Sequence, residues 1–289
     1  EPFPLCLERQ LGAEVTESGT QFALWAPSAQ AVTLRLFTCG SQQQTGDRLI
    51  ESVAMQLQDD GAWTAAFDRN LDGVYYDFIV DFADGASFRS ADPWARAAGI
   101  NGRRSMVVDL PRTNPEGWAD DERPRTPLSE TMVWEAHVGS FSNNPHGGFP
   151  KEHQGKFLAF TDTQTSLDGD GTFPTGIAYL KRLGVTAVQL LPFYDYGSVD
   201  ESDARQFNWG YDPLNYNVPE GSFSTDPYDG AVRITECKRM IQSLHAAGFK
   251  VIMDVVYNHV YSADNWFERT VPGYFMRRNE DGTLSNGSG

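Results

Sequence analysis

Between residues 131 and 259, three short apolar runs alternate with two helical repeats, and that alternation leaves few folds open. The runs are TMVWEAHV (131–138), VTAVQLLP (185–192) and KVIMDVVYNH (250–259). Between the first two, TGIAYLKRLG places Ile177, Leu180 and Leu183 on one face and stops at Gly184. Between the last two, GAVRITECKRMIQSLHAAG (230–248) carries an apolar stripe at Ile234, Cys237, Ile241 and Leu244 and again ends on glycine. Apolar strands in the order β-α-β-α-β predict a parallel sheet covered by helices. Two architectures meet that description, the α/β TIM-type (β/α)8 barrel and the open doubly wound sheet. No glycine-rich phosphate loop follows any strand, so a nucleotide-binding open sheet has little support.

The chain before this region has a different period. TQFALWAP, AVTLRLF, GAWTAAF, GVYYDFIVDF and SMVVDLP are short alternating runs, punctuated by DDG, LDG and ADG. They predict a β-sandwich over residues 1–111. Residues 112–129, RTNPEGWADDERPRTPLS, hold three prolines and many charges and read as a linker with little regular structure. Residues 130–289 then form the α/β part. A length of 289 residues suits two such domains.

Bulk properties exclude several classes. With 23 Lys and Arg against 39 Asp and Glu, the net charge is −16, which repels nucleic acid and anionic membranes but is indifferent to a neutral substrate. No apolar run approaches the ~18–20 residues of a transmembrane helix. The start, EPFPLCLERQ, lacks the basic and apolar segments of a signal peptide, which leaves the compartment, cytoplasmic or secreted, unassigned. Cys6, Cys39 and Cys237 have neither metal-site spacing nor an even count, and read as ordinary thiols.

The third apolar run reads as a buried strand with Asp254 inside it and Asn258 and His259 at its carboxyl end. In either parallel architecture, chemistry collects at that end. The segment 192–229 is too long for a simple connection. It holds Tyr194, Tyr196, Phe207, Trp209, Tyr211, Tyr216, Phe223 and Tyr228, with Asp195, Asp200, Asp203, Asp212 and Asp226, a set expected to rim a pocket. Trp25, in LWAP, reads as core packing, and neither it nor Trp94 is assigned as a sugar platform.

FNWGYDPLNYNVPEGSFSTDP (207–227) followed by DVVYNH (254–259) resembles the type I pullulanase branch of the alpha-amylase superfamily, glycoside hydrolase family 13. GYFMRRNEDGTLSNGSG resembles the next stretch of those enzymes. FALWAPSAQAVTLRLF and ADPWARAAGINGRRSMVVDL resemble the family 48 carbohydrate-binding module that precedes the barrel there. The resemblance implies a β-sandwich followed by the first three β/α units of a catalytic barrel. It implies retaining hydrolysis of α-1,6-glucosidic branch links in pullulan, starch or glycogen, with no required cofactor.

Residue roles follow from the same resemblance. Tyr211 matches the platform under the sugar at subsite −1, Asp212 a substrate-facing aspartate, and His259 the histidine that hydrogen-bonds that sugar. Asp254 matches a supporting aspartate and not the nucleophile. Asn258 matches a calcium-binding position of many alpha-amylases, a weak candidate read here as bonded to loop backbone; a structural Ca2+ is the single metal that the resemblance suggests. His137 and Phe141 match, while Gly139 and Ser140 stand where an Arg-Asp pair is usual. The nucleophile and acid/base are expected beyond Gly289, so the isolated chain is expected to be inactive and its partner to be the remaining part of the same enzyme. The rivals are an isoamylase, glycogen-debranching or branching enzyme, and, in another class, a non-catalytic glucan-binding protein.

Overall fold

The computed structural model describes residues 3–203 and 205–287. Two compact units make up the chain. One comprises Glu1–Asp109, Asp212–Val218 and Asn258–Gly289, and the other Leu110–Tyr211 and Pro219–Tyr257.

The first unit is built on a β-sandwich. One sheet runs β1 (Gly12–Thr16), β2 (Gly19–Trp25), β6 (Ala62–Phe67), β5 (Gln56–Leu57), and the other β4 (Leu49–Ala54), β3 (Ala29–Phe37), β7 (Tyr75–Phe82), β8 (Ser87–Ser90), with β9 (Ser105–Met106) also on β7. All these pairings are antiparallel. The alternation in sequence becomes alternation in space: Phe22 and Leu24 of β2, Val32, Leu34 and Leu36 of β3, Trp63 of β6 and Tyr76, Phe78 and Val80 of β7 share one core. Each such aromatic or aliphatic side chain contributes ~1.5–3 kcal/mol by leaving water.

Later segments of the chain pack into the same unit. Trp266, which opens the short helix α4 (Trp266–Thr270), is buried with Ala91 and Leu214, and Val218 with Ala95 and Ala98. The Arg269 guanidinium donates to the Arg89 carbonyl at 2.8 Å. Trp25 is 6% exposed and stands edge-on to Tyr274 at 4.9 Å, and Trp94 meets Phe267 at 6.3 Å. Both tryptophans therefore pack against other side chains, as LWAP suggested for the first. Strand β13 (Pro213–Pro219) begins in this unit.

The second unit holds three parallel strands in the order β10 (Val133–Ala136), β11 (Ala187–Leu190), β14 (Lys250–Met253). Helix α1 (Val138–Ser142) follows β10, α2 (Gly176–Leu183) leads into β11, and α3 (Gly230–Ala246) leads into β14. Val188 and Leu190 pack with Ile177 and Leu180 of α2, Cys237, Met240 and Leu244 of α3, and Phe157, Phe160 and Phe249. This is the start of a TIM-type barrel, strand and helix in repeated alternation. Both helices end as their sequence implies, with Gly184 at φ 77° and Gly248 at φ 93°. Leu183 is exposed, because three more residues past Leu180 rotate it off the buried stripe.

Two expectations change. Strand β14 was read as buried, but Ile252 and Met253 are each 37% exposed, since among the described residues β14 pairs with β11 alone. Asp254 lies just past its end, not within it. The proline-rich stretch after residue 111 has only short 3-10 turns at Leu110–Thr113, Trp118–Asp120 and Leu128–Glu130, yet it is anchored along α3. Lys238 Nζ donates to Leu110 O, Thr113 Oγ1 and Asn114 Oδ1, Gln242 donates to Glu116 O, and His245 pairs with Asp121.

Candidate active site

The segment 207–211 is shaped by its own backbone chemistry. Asn208 Oδ1 accepts the Gly210 N–H at 2.7 Å, closing a side-chain turn. Gly210 has φ 90°, and a Cβ there would lie 2.3 Å from the Pro192 carbonyl oxygen. Only glycine lets the chain pass that close. The Asn208 carbonyl meets His137 Nε2 at 2.8 Å, while His137 Nδ1 accepts the Ser140 N–H at 3.1 Å as the cap of α1. An accepting Nδ1 carries no proton, so Nε2–H is the donor to Asn208. Burial holds the imidazole below its ordinary pKa, with the Asn208 bond opposing, which keeps it neutral. Phe207 and Trp209 pack on the same ring, with centroids 4.8 and 6.2 Å from it, and stay more than half exposed.

This path delivers Tyr211 to the end of β14. Its hydroxyl donates to Asp254 Oδ2 at 2.5 Å. Desolvation first, then the Asp254 hydrogen bond and the charges of Asp254 and Glu135, push the phenol up to about 12, so it remains a donor. Asp254 is fixed from its backbone as well, its N–H bonding Leu190 O at 2.9 Å. Two residues on, Val256 N–H donates to the buried Tyr194 hydroxyl at 2.8 Å. The result is a carboxylate at the carboxyl end of a parallel strand, carrying a half-exposed aromatic ring.

Asp212, Asn258 and His259 lie in the first unit. Asp212 is half-buried immediately before β13. The His259 carbonyl accepts the Tyr216 hydroxyl at 2.6 Å, and its Nδ1 faces Asn258 Nδ2 at 3.1 Å. The contact of the Asn258 amide is thus the neighbouring imidazole, where loop backbone was expected; adjacency in sequence makes the ring the nearer partner.

The expected rim of the 192–229 segment splits in two. Phe207, Trp209, Tyr211 and Tyr228 are exposed, but Tyr194, Tyr196 and Phe223 are core. Asp195 is fully buried, within reach of Glu201, Glu220 and Arg233. An acidic stretch read from sequence looks solvated; a guanidinium from α3 takes this part of it inside.

Those three carboxylates are the donor set a hard cation takes, and among the described residues they are the one such cluster. They do not fit a calcium ion, because Arg233 already lies among them. A Cβ on Gly221 would come within 2.3 Å of both Arg233 Nη2 and Glu201 Oε2, so the space is filled.

Residues 158–281 match the alpha amylase catalytic domain family, and residues 10–95 match carbohydrate-binding module 48, the isoamylase N-terminal domain. The pullulanase of Bacillus subtilis (strain 168) is 36% identical over 282 residues, 97% of this chain and 37% of that protein. The chain is homologous to the pullulanases. Pullulanase 1, chloroplastic, of Arabidopsis thaliana is 30% identical over 96% of this chain and 32% of its own length. The crystal structure of the Paenibacillus barengoltzii pullulanase, in complex with maltohexaose and alpha-cyclodextrin, superposes with a TM-score of 0.91 at 41% identity, over 98% of this chain and 43% of that one. This pullulanase homologue thus spans roughly a third to two fifths of the relatives it matches. Tyr211, Asp212, Asp254, Asn258 and His259 all fall within the segment that matches the catalytic domain.

Sequence reasoning missed Glu135, the bond of the Tyr194 hydroxyl to Val256 and the anchoring role of His137. Glu135 carried no motif, and Tyr194 was read only as part of the pocket rim. His137 was matched by position only, and its function emerges from a hydrogen bond to a residue 71 positions away.

Proposed function

We propose that the protein containing this chain hydrolyses α-1,6-glucosidic links in pullulan and branched α-glucans with retention of configuration. The observation that carries this reading is the Tyr211–Asp254 pair, a sugar-sized aromatic face hydrogen-bonded to a carboxylate at the carboxyl end of β14. Homology to pullulanases along nearly the whole chain supports it. So does the maltohexaose bound by the Paenibacillus relative.

Each residue then has a physical task. The Tyr211 ring stacks on the C–H face of the glucose at subsite −1. Asp254 fixes the tilt of that ring through the hydroxyl and supports the subsite. Asp212 and His259 hydrogen-bond sugar hydroxyls. Retaining hydrolysis needs a nucleophile and an acid/base about 5–5.5 Å apart. We assign neither to a residue of this chain, since the superfamily places both after later strands. No cofactor enters the scheme. A structural calcium is not needed for it: Asn258 offers one oxygen where calcium takes six to eight, and Arg233 already supplies the cation in the acidic cluster.

The test is product analysis. Maltotriose released from pullulan by the complete protein is the expected outcome, with no hydrolysis by the 289-residue chain alone. Action on branched glucan but not pullulan would favour the isoamylase or branching-enzyme reading. A second reading, glucan binding without hydrolysis, is favoured by the module 48 match over residues 10–95. Retardation in starch gels by a complete protein that is inactive on every glucan would establish it.

A further inference from the structure

One buried group of charges has no part in the glucan scheme. Arg233, at the start of α3, is wholly buried. Its Nη1 donates to Glu201 Oε1 at 3.1 Å, Pro219 O at 3.2 Å and Asp195 Oδ1 at 3.4 Å, and its Nη2 to Glu201 Oε2 at 2.8 Å and Pro227 O at 3.0 Å. Glu220 completes the cluster, accepting the N–H groups of Tyr196 at 3.0 Å and Ser222 at 2.9 Å, while Glu201 accepts that of Gly221 at 3.2 Å. One side chain of α3 and three carboxyls thus hold residues 194–201 and 219–227 together.

The charges do not balance if all are ionised. Three carboxylates against one guanidinium leave two excess negative charges in a buried site, at a cost that proteins avoid by protonation. The other charged groups nearby do not alter the sum. Lys156, whose Nζ donates to Ser222 O at 2.8 Å, adds one positive charge, and Glu236, held by the Thr225 N–H and hydroxyl, adds one negative charge. Two protons shared among the three carboxyls make the cluster neutral, with Arg233 as its cation.

We propose that this cluster is a proton-dependent clamp on residues 194–201 and 219–227, closed while two of its three carboxyls are protonated and loosened when they ionise. Burial is the main force that keeps the protons on. It pushes Glu220 up to about 8, helped by the charge of Glu201, and Asp195, facing Glu201, well above the ordinary range. A carboxyl with a raised folded pKa favours folding fully below its ordinary value of 4.5, and that contribution is lost as pH rises towards about 8. The inference does not depend on the glucan reading, because the clamp is defined by its own contacts.

Native-state hydrogen exchange of the full chain between pH 5 and 9, corrected for the intrinsic pH dependence of amide exchange, tests it. Protection of the Tyr196, Gly221 and Ser222 amides should fall about tenfold or more across that range, by the slope one proton imposes. Glu220→Gln and Asp195→Asn, which mimic the neutral carboxyls, should flatten the fall. A wild-type protein with constant protection overturns the proposal. So does an unchanged pH dependence in both variants. Failure of both variants to fold at any pH also overturns it, since the amides reproduce the neutral state that the clamp requires.

Discussion

The Tyr211 hydroxyl and the Asp254 carboxylate define each other's place, and the two parts of the tyrosine can be tested separately. Tyr211→Phe keeps the ring and loses the 2.5 Å bond; Tyr211→Ala loses both. In the complete protein, kcat/KM on pullulan should fall roughly tenfold or more for alanine, with a smaller fall for phenylalanine. Equal activity in all three forms would remove Tyr211 from the site. A second tyrosine–aspartate pair, this one buried, belongs to stability. The Tyr76 hydroxyl donates to Asp92 at 2.7 Å inside the sandwich, and burial raises Asp92 to about 6 against the lowering effect of that bond and of the Trp94 N–H. Tyr76→Phe leaves the carboxyl one donor short and should cost ~1–3 kcal/mol in urea unfolding. Because the folded pKa of Asp92 lies above its ordinary 3.8, its contribution is full below that value and declines as pH rises to about 6. Asp92→Asn should remove that slope from the unfolding profile.

Among the elements, the segment 207–211 is the one whose conformation decides the proposed site. It is held by Gly210 beneath the Pro192 carbonyl and by His137 beneath Asn208. Gly210→Ala forces a Cβ into an oxygen and a side chain into left-handed backbone. It should cost ~1–3 kcal/mol or more and change the fluorescence of Trp209. His137 acts on the same segment through its neutral form. Its folded pKa is depressed, so the stability it lends is present above the ordinary histidine value of about 6.5 and is lost as pH falls through the folded one. Acidification should therefore shift Trp209 emission, and His137→Gln, which cannot charge, should abolish the shift.

For the whole molecule, the net charge of −16 and a neutral α-glucan give a prediction about salt. Exposed charges are screened beyond ~10 Å at 0.1 M ionic strength, and nothing in the proposed contacts is a full ion pair with substrate. Pullulan affinity should change less than about twofold between 50 and 500 mM salt, as read by affinity electrophoresis. A steep salt dependence would point instead to a charged ligand.

Local pattern explains what could be read early. The alternation of Val32, Leu34 and Leu36 has one physical outcome, a half-buried strand, and the helical spacing of Ile177 and Leu180 has another. The motifs singled out Tyr211 and Asp254 but not the hydrogen bond that joins them. The exposure of Ile252 and Met253 was not legible, since an apolar run looks the same with one neighbour or two. Nor was the fate of Asp195, for acidity in a loop says nothing about an arginine 38 residues away.

By itself, then, the sequence determined the two periodicities, hence a sandwich followed by parallel β/α units, and the residue types offered at the strand ends. Periodicity is a property of neighbours in the chain, and burial of one face follows from it. Only the tertiary structure decided which groups meet: Tyr211 with Asp254, His137 with Asn208, and Arg233 with three carboxyls. Those contacts join residues distant in sequence, and their protonation follows from burial, which belongs to the folded chain alone.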